Sequence, residues 1–274
     1  MADAKSKNLA EYDGPDKVIS SHEMHLKLGE QKEGLFNVRC GIPGIDDACQ
    51  GFQDGELISI SGLTKHGKTL LCQSITVGFA KKQQFPLWFS FEVPARQFLE
   101  QFPSLPMLYM PSKLKSNAMD WFYDRSDEAY AKYGSRIIFI DHLHYLVDLA
   151  KNSNMAIEIG TIIRQLKLFA VDRHFVIFLL CHTRKLALGE ELSWACLRDS
   201  SFISQESDSV IMVQRTPKLG ENTATARIEF HRRTGVMERL VGLQKIGGLL
   251  RERIIEDDPE EDQQQKRYNY TRRS

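Results

Sequence analysis

Along the middle of the chain, short uninterrupted apolar runs alternate with longer stretches whose apolar residues recur at every third or fourth position. Leu57–Ser61, Leu87–Ser90, 137–140, 176–181 and 210–214 are aliphatic or aromatic and bounded mostly by polar or turn-forming residues. Runs of that length, polar only at a few small or terminal positions such as Ser59, Ser61 and Ser90, predict strands buried on both faces. Between them, 69–82, 118–133 and 157–172 carry helical spacing, the last through Ile159, Ile162, Ile163, Leu166 and Ala170. Strands alternating with helices predict an α/β fold, a mostly parallel sheet flanked by crossover helices. After Gln214 the pattern changes to 224–230 and 236–243 around the turn-like Arg233-Thr234-Gly235, which predicts a C-terminal antiparallel hairpin.

The two ends differ from this middle. Residues 1–17 are polar and predict disorder, but Ser20 followed by Glu23 has capping-box spacing and opens a short segment through Met24, Leu26 and Leu28, so a brief helix is expected there. Residues 256–274 pass from an acidic cluster to Lys266, Arg267, Arg272 and Arg273 with little to bury, and predict a solvated tail. The expected organisation is an arm over 1–37, one domain over 38–252 and a disordered charged tail over 253–274.

Composition adds limits rather than chemistry. The 274 residues are 42% hydrophobic, enough to bury a core. Lys+Arg and Asp+Glu each total 36, so any cationic surface must be local. The five cysteines are scattered with no C-x-x-C pair, which fits a reducing compartment. With no run of about 18 apolar residues, neither a signal peptide nor a membrane span is expected, and a cytoplasmic or nucleoid location is.

The chemistry sits at Gly62-Leu63-Thr64-Lys65-His66-Gly67-Lys68-Thr69, a G-x-x-x-x-G-K-[ST] motif between the predicted strand Leu57–Ser61 and the helix-forming Leu70-Leu71-Cys72-Gln73. At average residue usage such a match arises by chance in about 1% of chains this long. In this context backbone N–H groups and a helix N-terminus converge on phosphates. Gly62, Thr64, Lys65, His66, Gly67, Lys68, Thr69 and Leu70 are therefore the expected ATP-binding residues, with Lys68 reaching the β- and γ-phosphates and the Thr69 hydroxyl ligating Mg²⁺. Asp141, closing Ile137-Ile138-Phe139-Ile140, is the expected second Mg²⁺ ligand; capping a helix after a buried strand is its other reading. Glu92, just past Leu87–Ser90 at the carboxyl edge, is the expected catalytic base, against the reading of a helix-start acid ahead of Pro94.

The order of these blocks resembles the ATPase domain of DnaB-like and Twinkle-like hexameric replicative helicases, a RecA-fold family, over roughly residues 38–250. Gly41-Ile42-Pro43-Gly44-Ile45-Asp46 and Gly51-Phe52-Gln53-Asp54-Gly55-Glu56-Leu57 are similar to the blocks that open that domain. Phe89-Ser90-Phe91-Glu92-Val93 resembles the block whose glutamate is catalytic. Ile140-Asp141-His142-Leu143-His144-Tyr145-Leu146 resembles its I-D-Y-L-Q-L block. The resemblance implies that His182 is a γ-phosphate sensor, with a satisfied strand-end histidine as the alternative. Leu197 to Asp208 is similar to L-R-E-S-G-x-I-E-Q-D-A-D, which implies that Arg198, Asp199 and Ser200 face single-stranded DNA and that Gln205 relays between DNA and nucleotide. A surface ion pair with neighbouring acids is the other reading of Arg198. In Glu229-Phe230-His231-Arg232-Arg233-Thr234-Gly235 the resemblance implies that Arg232 is an arginine finger reaching a neighbour's ATP, with Arg233 an equally reachable alternative; Phe230 stands where the family has lysine.

The implied activity is that of an ATP-dependent, ring-forming DNA helicase, a homo-oligomer and a hexamer in the family, moving 5′ to 3′ on single-stranded DNA in replication. ATP and Mg²⁺ are its cofactors, a primase or loader a further partner, and Ile19 to Gln31 a linker helix docking on the next subunit. The usual N-terminal domain of the family has no counterpart in the 37 residues before the ATPase domain, and a phage- or plasmid-encoded minimal helicase is one expectation. A RecA-like recombination or regulatory ATPase that does not unwind, and an ATP-binding structural subunit, are the alternatives; the Leu197 to Asp208 block favours the helicase.

Overall fold

The computed structural model describes residues 9–30, 36–116, 118–146, 155–183, 192–197, 200–217 and 220–253. The chain divides into two compact units, Met1–Phe36 and Asn37–Ser274. In the first, helix α1 (Ser21–Glu30) begins at the expected capping box: Glu23 N–H donates to Ser20 Oγ at 3.1 Å and Ser20 N–H donates to Glu23 Oε2 at 3.0 Å. Met24, Leu26 and Leu28 of α1 are exposed.

The second unit is built on one eight-stranded sheet. Its strands are β3 (Leu57–Ser61), β4 (Leu87–Ser90), β5 (Ile137–Asp141), β6 (Val176–Leu180), β7 (Ser209–Arg215), β8 (Thr223–His231), β9 (Val236–Ile246) and β10 (Leu249–Glu252), in the order β10-β9-β8-β7-β3-β6-β5-β4. The strands from β3 to β7 pair parallel, whereas β8, β9 and β10 add as an antiparallel extension. A separate ribbon pairs β1 (Asn37–Val38) with β2 (Phe52–Gln53). The helices are α2 (Pro43–Cys49), α3 (Lys68–Lys81), α4 (Ala95–Glu100), α5 (Met119–Tyr133), α6 (Met155–Arg173) and α7 (Ser200–Glu206).

The expected strands and long helices are present within a few residues of their expected ends. Strands β3 to β6 are buried along their whole length, as their apolar runs require. One face carries an aromatic ladder: Trp88, Phe139 and Phe178 stand in register on β4, β5 and β6, with ring centroids 4.5 Å and 4.7 Å apart and nearly parallel. Phe79 of α3 packs 5.7 Å from Phe178, and Trp88 Nε1 donates to Thr76 Oγ1 at 2.9 Å, so the indole is buried without an orphan donor. The opposite face is covered by α5 and α6; Ile159, Ile162, Ile163, Leu166 and Ala170 are all buried, as their spacing predicts. All five cysteines are buried and unpaired by disulfides.

Strand β10 is absent from the sequence reading. Its turn, Gly247-Gly248, has positive φ at both residues (57° and 84°), which is what a two-residue hairpin between right-twisted strands demands. The glycine pair was the available signal. β10 lies against α3, where its Leu250 N–H donates to Ser74 Oγ at 2.8 Å, and Glu252 accepts from Gly44 N–H at 2.7 Å. Among the described residues no helix is long and apolar enough to cross a membrane.

Candidate functional site

Strand β3 lies between β6 and β7, and its carboxyl end runs into the glycine-rich loop and then α3. That is the edge at which α/β sheets gather ligands. Gly62 has φ +153°, and a Cβ built there would stand 2.2 Å from the Val213 carbonyl oxygen, so the loop passes under β7 only with glycine. Gly67 caps α3 at φ 98°, a left-handed conformation that aims the first N–H groups of the helix into the loop. Lys68 is buried, with Nζ 2.9 Å from the Gly62 carbonyl and 3.2 Å from that of Leu63. Burial pulls its pKa down, and the nearby Glu92 and Asp141 charges oppose that.

Asp141, at the end of β5, accepts from Thr69 Oγ1 at 3.0 Å. Burial, opposed by the Thr69 hydrogen bond, pushes its carboxyl pKa up to about 6. Two oxygen donors this close, one of them a buried carboxylate with no cation at ion-pair distance among the described residues, fit a hard divalent cation. Glu92 is brought to the same place by backbone: Phe91 and Glu92 N–H both donate to the Asp141 carbonyl, at 2.7 and 3.3 Å. Ser61 Oγ donates to the Cys181 carbonyl at 2.9 Å, fixing the end of β6 beside the loop and setting His182 after it. Thus four expected residues converge, Thr69 from the first turn of α3 and Glu92, Asp141 and His182 from the ends of three strands.

They do so around a cavity of about 570 Å³ lined by residues 64–70, Glu92 and His182. Its far wall went unread in the sequence: Gln73 and Gln101, whose amides bond at 2.9 Å, Arg215 at the end of β7, Asn222 and Thr223, Lys245, Gly248 and Leu250. Arg215 N–H donates to His66 Nδ1 at 3.2 Å, joining the loop to β7. No local motif marks these residues, because the wall exists only once β8 to β10 extend the sheet.

His142 was also unassigned. Its Nδ1 lies 3.4 Å from Glu92 Oε2, and its ring is 4.2 Å from His182. Burial, aided by His182, lowers its pKa to about 4, so the imidazole is neutral at pH 7.

The remaining candidates lie elsewhere. Ile58 pairs with Ser209 and Ser209 with His231, so the β8–β9 turn holding Arg232 and Arg233 sits at the amino edge of the sheet, a strand's length from the phosphate loop. There Arg232 N–H donates to the Asp208 carbonyl, and its guanidinium donates to the carbonyl of exposed Gln205. Arg233 is committed inward: Nε is 2.7 Å from Glu56 Oε1, and Nη2 donates to the Cys49 and Gly51 carbonyls at 2.8 Å each. Asp208 beside them accepts from Leu57 N–H at 2.8 Å and pairs with Lys167 at 2.6 Å. Arg198 and Asp199 lie outside the described residues; Ser200 opens α7.

Comparison with known proteins fits this layout. The model of the DnaB-like helicase C-terminal domain matches residues 113–245, and the KaiC-type ATPase model matches residues 38–167. The chain is thus similar to the DnaB-like helicase C-terminal domain over its later part and to the KaiC-type ATPase over its earlier part. A probable replicative DNA helicase from Trieres chinensis is 26% identical over 241 residues, covering 75% of this chain and 53% of that protein. The chain thus spans about half the length of the curated relative it matches. Among solved structures, a DnaB-like replicative helicase, studied with its primase interactions, superposes with a TM-score of 0.70 at 17% identity over 92% of this chain and 71% of its own. A solved ATPase domain superposes with a TM-score of 0.72 at 16% identity over 85% of this chain and 97% of its own. The fold of the second unit is RecA-like: a mostly parallel sheet with flanking helices and C-terminal antiparallel strands.

Proposed function

We propose that the chain is an ATP-dependent DNA helicase of replication that forms a homo-oligomeric ring, hexameric and moving 5′ to 3′ on single-stranded DNA. The observation that carries this is the split site: the phosphate loop, Glu92 and His182 line one cavity, Asp141 bonds to Thr69 beside it, and Arg232 stands at the opposite sheet edge. Arg232 cannot reach its own nucleotide, so it acts on that of a neighbouring copy.

In this mechanism the loop N–H groups and Lys68 hold the β- and γ-phosphates, and Thr69 with Asp141 holds Mg²⁺. Bound there, Mg²⁺ neutralises charge on the phosphate oxygens. Glu92 orients a water and takes its proton as the water oxygen bonds to the γ-phosphorus and the bond to the β-phosphate oxygen breaks, leaving ADP and phosphate. His182 donates to the γ-phosphate and reports its presence. Arg232 of the next copy stabilises the developing charge, and Gln205, whose carbonyl it holds, links that arginine to the DNA-facing segment of Arg198, Asp199 and Ser200. Helix α1, with exposed Met24, Leu26 and Leu28, docks on the next copy. A primase or loader is the further partner, and a cytoplasmic or nucleoid location follows from the role.

Strand displacement on forked DNA tests the reading. Unwinding that needs ATP and a 5′ single-stranded arm is expected; hydrolysis that single-stranded DNA does not stimulate, with no unwinding, would sink it in favour of a non-unwinding RecA-like ATPase.

A further inference from the structure

Beside the proposed Mg²⁺ pair Thr69 and Asp141 stands a second set of ligand atoms, of which the proposed hydrolysis uses Glu92 and His182 and leaves His142 unused. Glu92, His142 and His182 each offer an atom, and these atoms all lie within 4.8 Å of one another. His142 Nδ1 is buried, makes no hydrogen bond among the described residues, and lies 3.4 Å from Glu92 Oε2. That separation is long for a hydrogen bond. It is the edge of a tetrahedron around zinc: with Zn–N and Zn–O near 2.0–2.1 Å, neighbouring ligand atoms stand about 3.3–3.4 Å apart. The His182 ring, 4.2 Å from that of His142, lies on the same side.

We propose that Glu92, His142 and His182 form a transition-metal site, best suited to Zn²⁺, that inhibits the enzyme by removing Glu92 from the water it activates. Two imidazoles and one carboxylate are a borderline donor set that suits Zn²⁺ rather than Mg²⁺, which prefers oxygen alone. Three protein ligands leave a fourth position, and because Glu92 and His182 line the phosphate cavity, that position opens into it. The ends of three parallel strands supply the ligands: Glu92 follows β4, His142 follows β5 and His182 follows β6. Neighbouring strand ends bring the three together, with Glu92 the most exposed of the set. His144, its ring 5.4 Å from that of His142, flanks the site and adds a second imidazole from the same turn. Occupancy by zinc and productive placement of water are mutually exclusive, since both use the Glu92 carboxylate. The site therefore makes ATP turnover sensitive to free zinc while leaving the Mg²⁺ ligands untouched.

The metal claim is independent of the helicase reading; only its inhibitory consequence rests on that reading. Titrating metal-stripped full-length protein with Co²⁺ in excess Mg²⁺ reads the site by visible absorption. One equivalent is expected to give an intense tetrahedral spectrum without a thiolate charge-transfer band, and Zn²⁺ to bleach it. His142→Ala and His182→Ala are each expected to weaken binding at least tenfold while a fluorescent ADP analogue still binds; His142→Gln serves if the alanine variant misfolds. A spectrum unchanged in both histidine variants, a thiolate band, or no binding at 100-fold excess Co²⁺ would overturn the proposal. Micromolar Zn²⁺ is further expected to suppress hydrolysis in the wild type, and turnover that ignores zinc while the Co²⁺ spectrum is present would overturn the inhibitory role alone. Were the wild type to lack hydrolysis altogether, the proposed function would fail and the cobalt spectrum would still decide the metal site.

Discussion

The two edges of the sheet solve opposite problems with similar residues. At the amino edge each charge is answered: Arg233 by Glu56 and two carbonyls, Lys167 by Asp208 and the Gly55 carbonyl, Arg232 by the Gln205 carbonyl. At the carboxyl edge the charges are buried and only partly answered. Asp141 meets a hydroxyl rather than a cation, Lys68 leans on carbonyls, and His142 faces Glu92 without a hydrogen bond. Buried polar groups left short of partners lose folding free energy, and a fold keeps them where a ligand will complete them. One edge is finished by folding; the other is finished by what binds.

The largest test of that contrast strikes the unfinished edge. Lys68→Ala and Glu92→Gln are expected to lower ATP turnover by roughly 10²- to 10⁴-fold in a steady-state phosphate-release assay, with Glu92→Gln still binding nucleotide. Neither variant is expected to lower the melting temperature. A large loss of stability in either would mean that these groups hold the fold rather than the ligand.

At the finished edge, the adjacent arginines are expected to separate. Arg232→Ala should cut turnover of the assembled protein about 10³-fold with unchanged unfolding in urea. Mixing Arg232→Ala chains with Lys68→Ala chains should restore part of the activity, because some interfaces then hold an intact loop facing an intact arginine. Arg233→Ala should instead cost about 2–4 kcal/mol in urea unfolding, since buried Glu56 loses its guanidinium partner. The reverse pattern, with Arg233→Ala stable but inactive, would exchange their roles.

A smaller effect is expected where the finished edge grips the start of β3. Asp208→Ala removes the acceptor for Leu57 N–H and the partner of Lys167, and should cost about 1–3 kcal/mol by the same measurement, with nucleotide affinity preserved.

The smallest effect concerns pH at the unfinished edge in a metal-chelating buffer. His142, held near 4 against an ordinary 6.5, withdraws stability as pH falls through 6.5, because the unfolded chain takes the proton first. Asp141, held near 6 against 3.8, returns stability as pH falls through 6, because the folded chain takes the proton first. Between pH 6.5 and 4 the two oppose one another. Relative to the wild type, His142→Gln should therefore melt higher at pH 5 than at pH 7, and Asp141→Asn lower. Parallel pH profiles for both variants would show that the two groups do not titrate as the geometry requires.

Much of the unfinished edge is legible along the chain. The loop from Gly62 to Thr69 is encoded by its own glycines, lysine and threonine, and Asp141 and Glu92 are each the first acid past an uninterrupted apolar strand. These features are local: strand burial follows from a few consecutive side chains, and a parallel sheet puts every strand's carboxyl end on one side. The sequence by itself therefore determined that the glycine-rich loop and these two acids gather at one edge, and that helix α6 turns Ile159, Ile162, Ile163, Leu166 and Ala170 inward. Only the tertiary structure decided the rest. That His142 joins Glu92 and His182 depends on β4, β5 and β6 lying side by side. That Arg233 is bound inward while Arg232 stays at the surface depends on which carbonyls of α2 and its following turn come within reach, more than 180 residues away along the chain. The wall of Lys245, Gly248 and Leu250 depends on the antiparallel strands folding back over α3. Strand order and register join residues distant in sequence, and no spacing between neighbours along the chain carries that information.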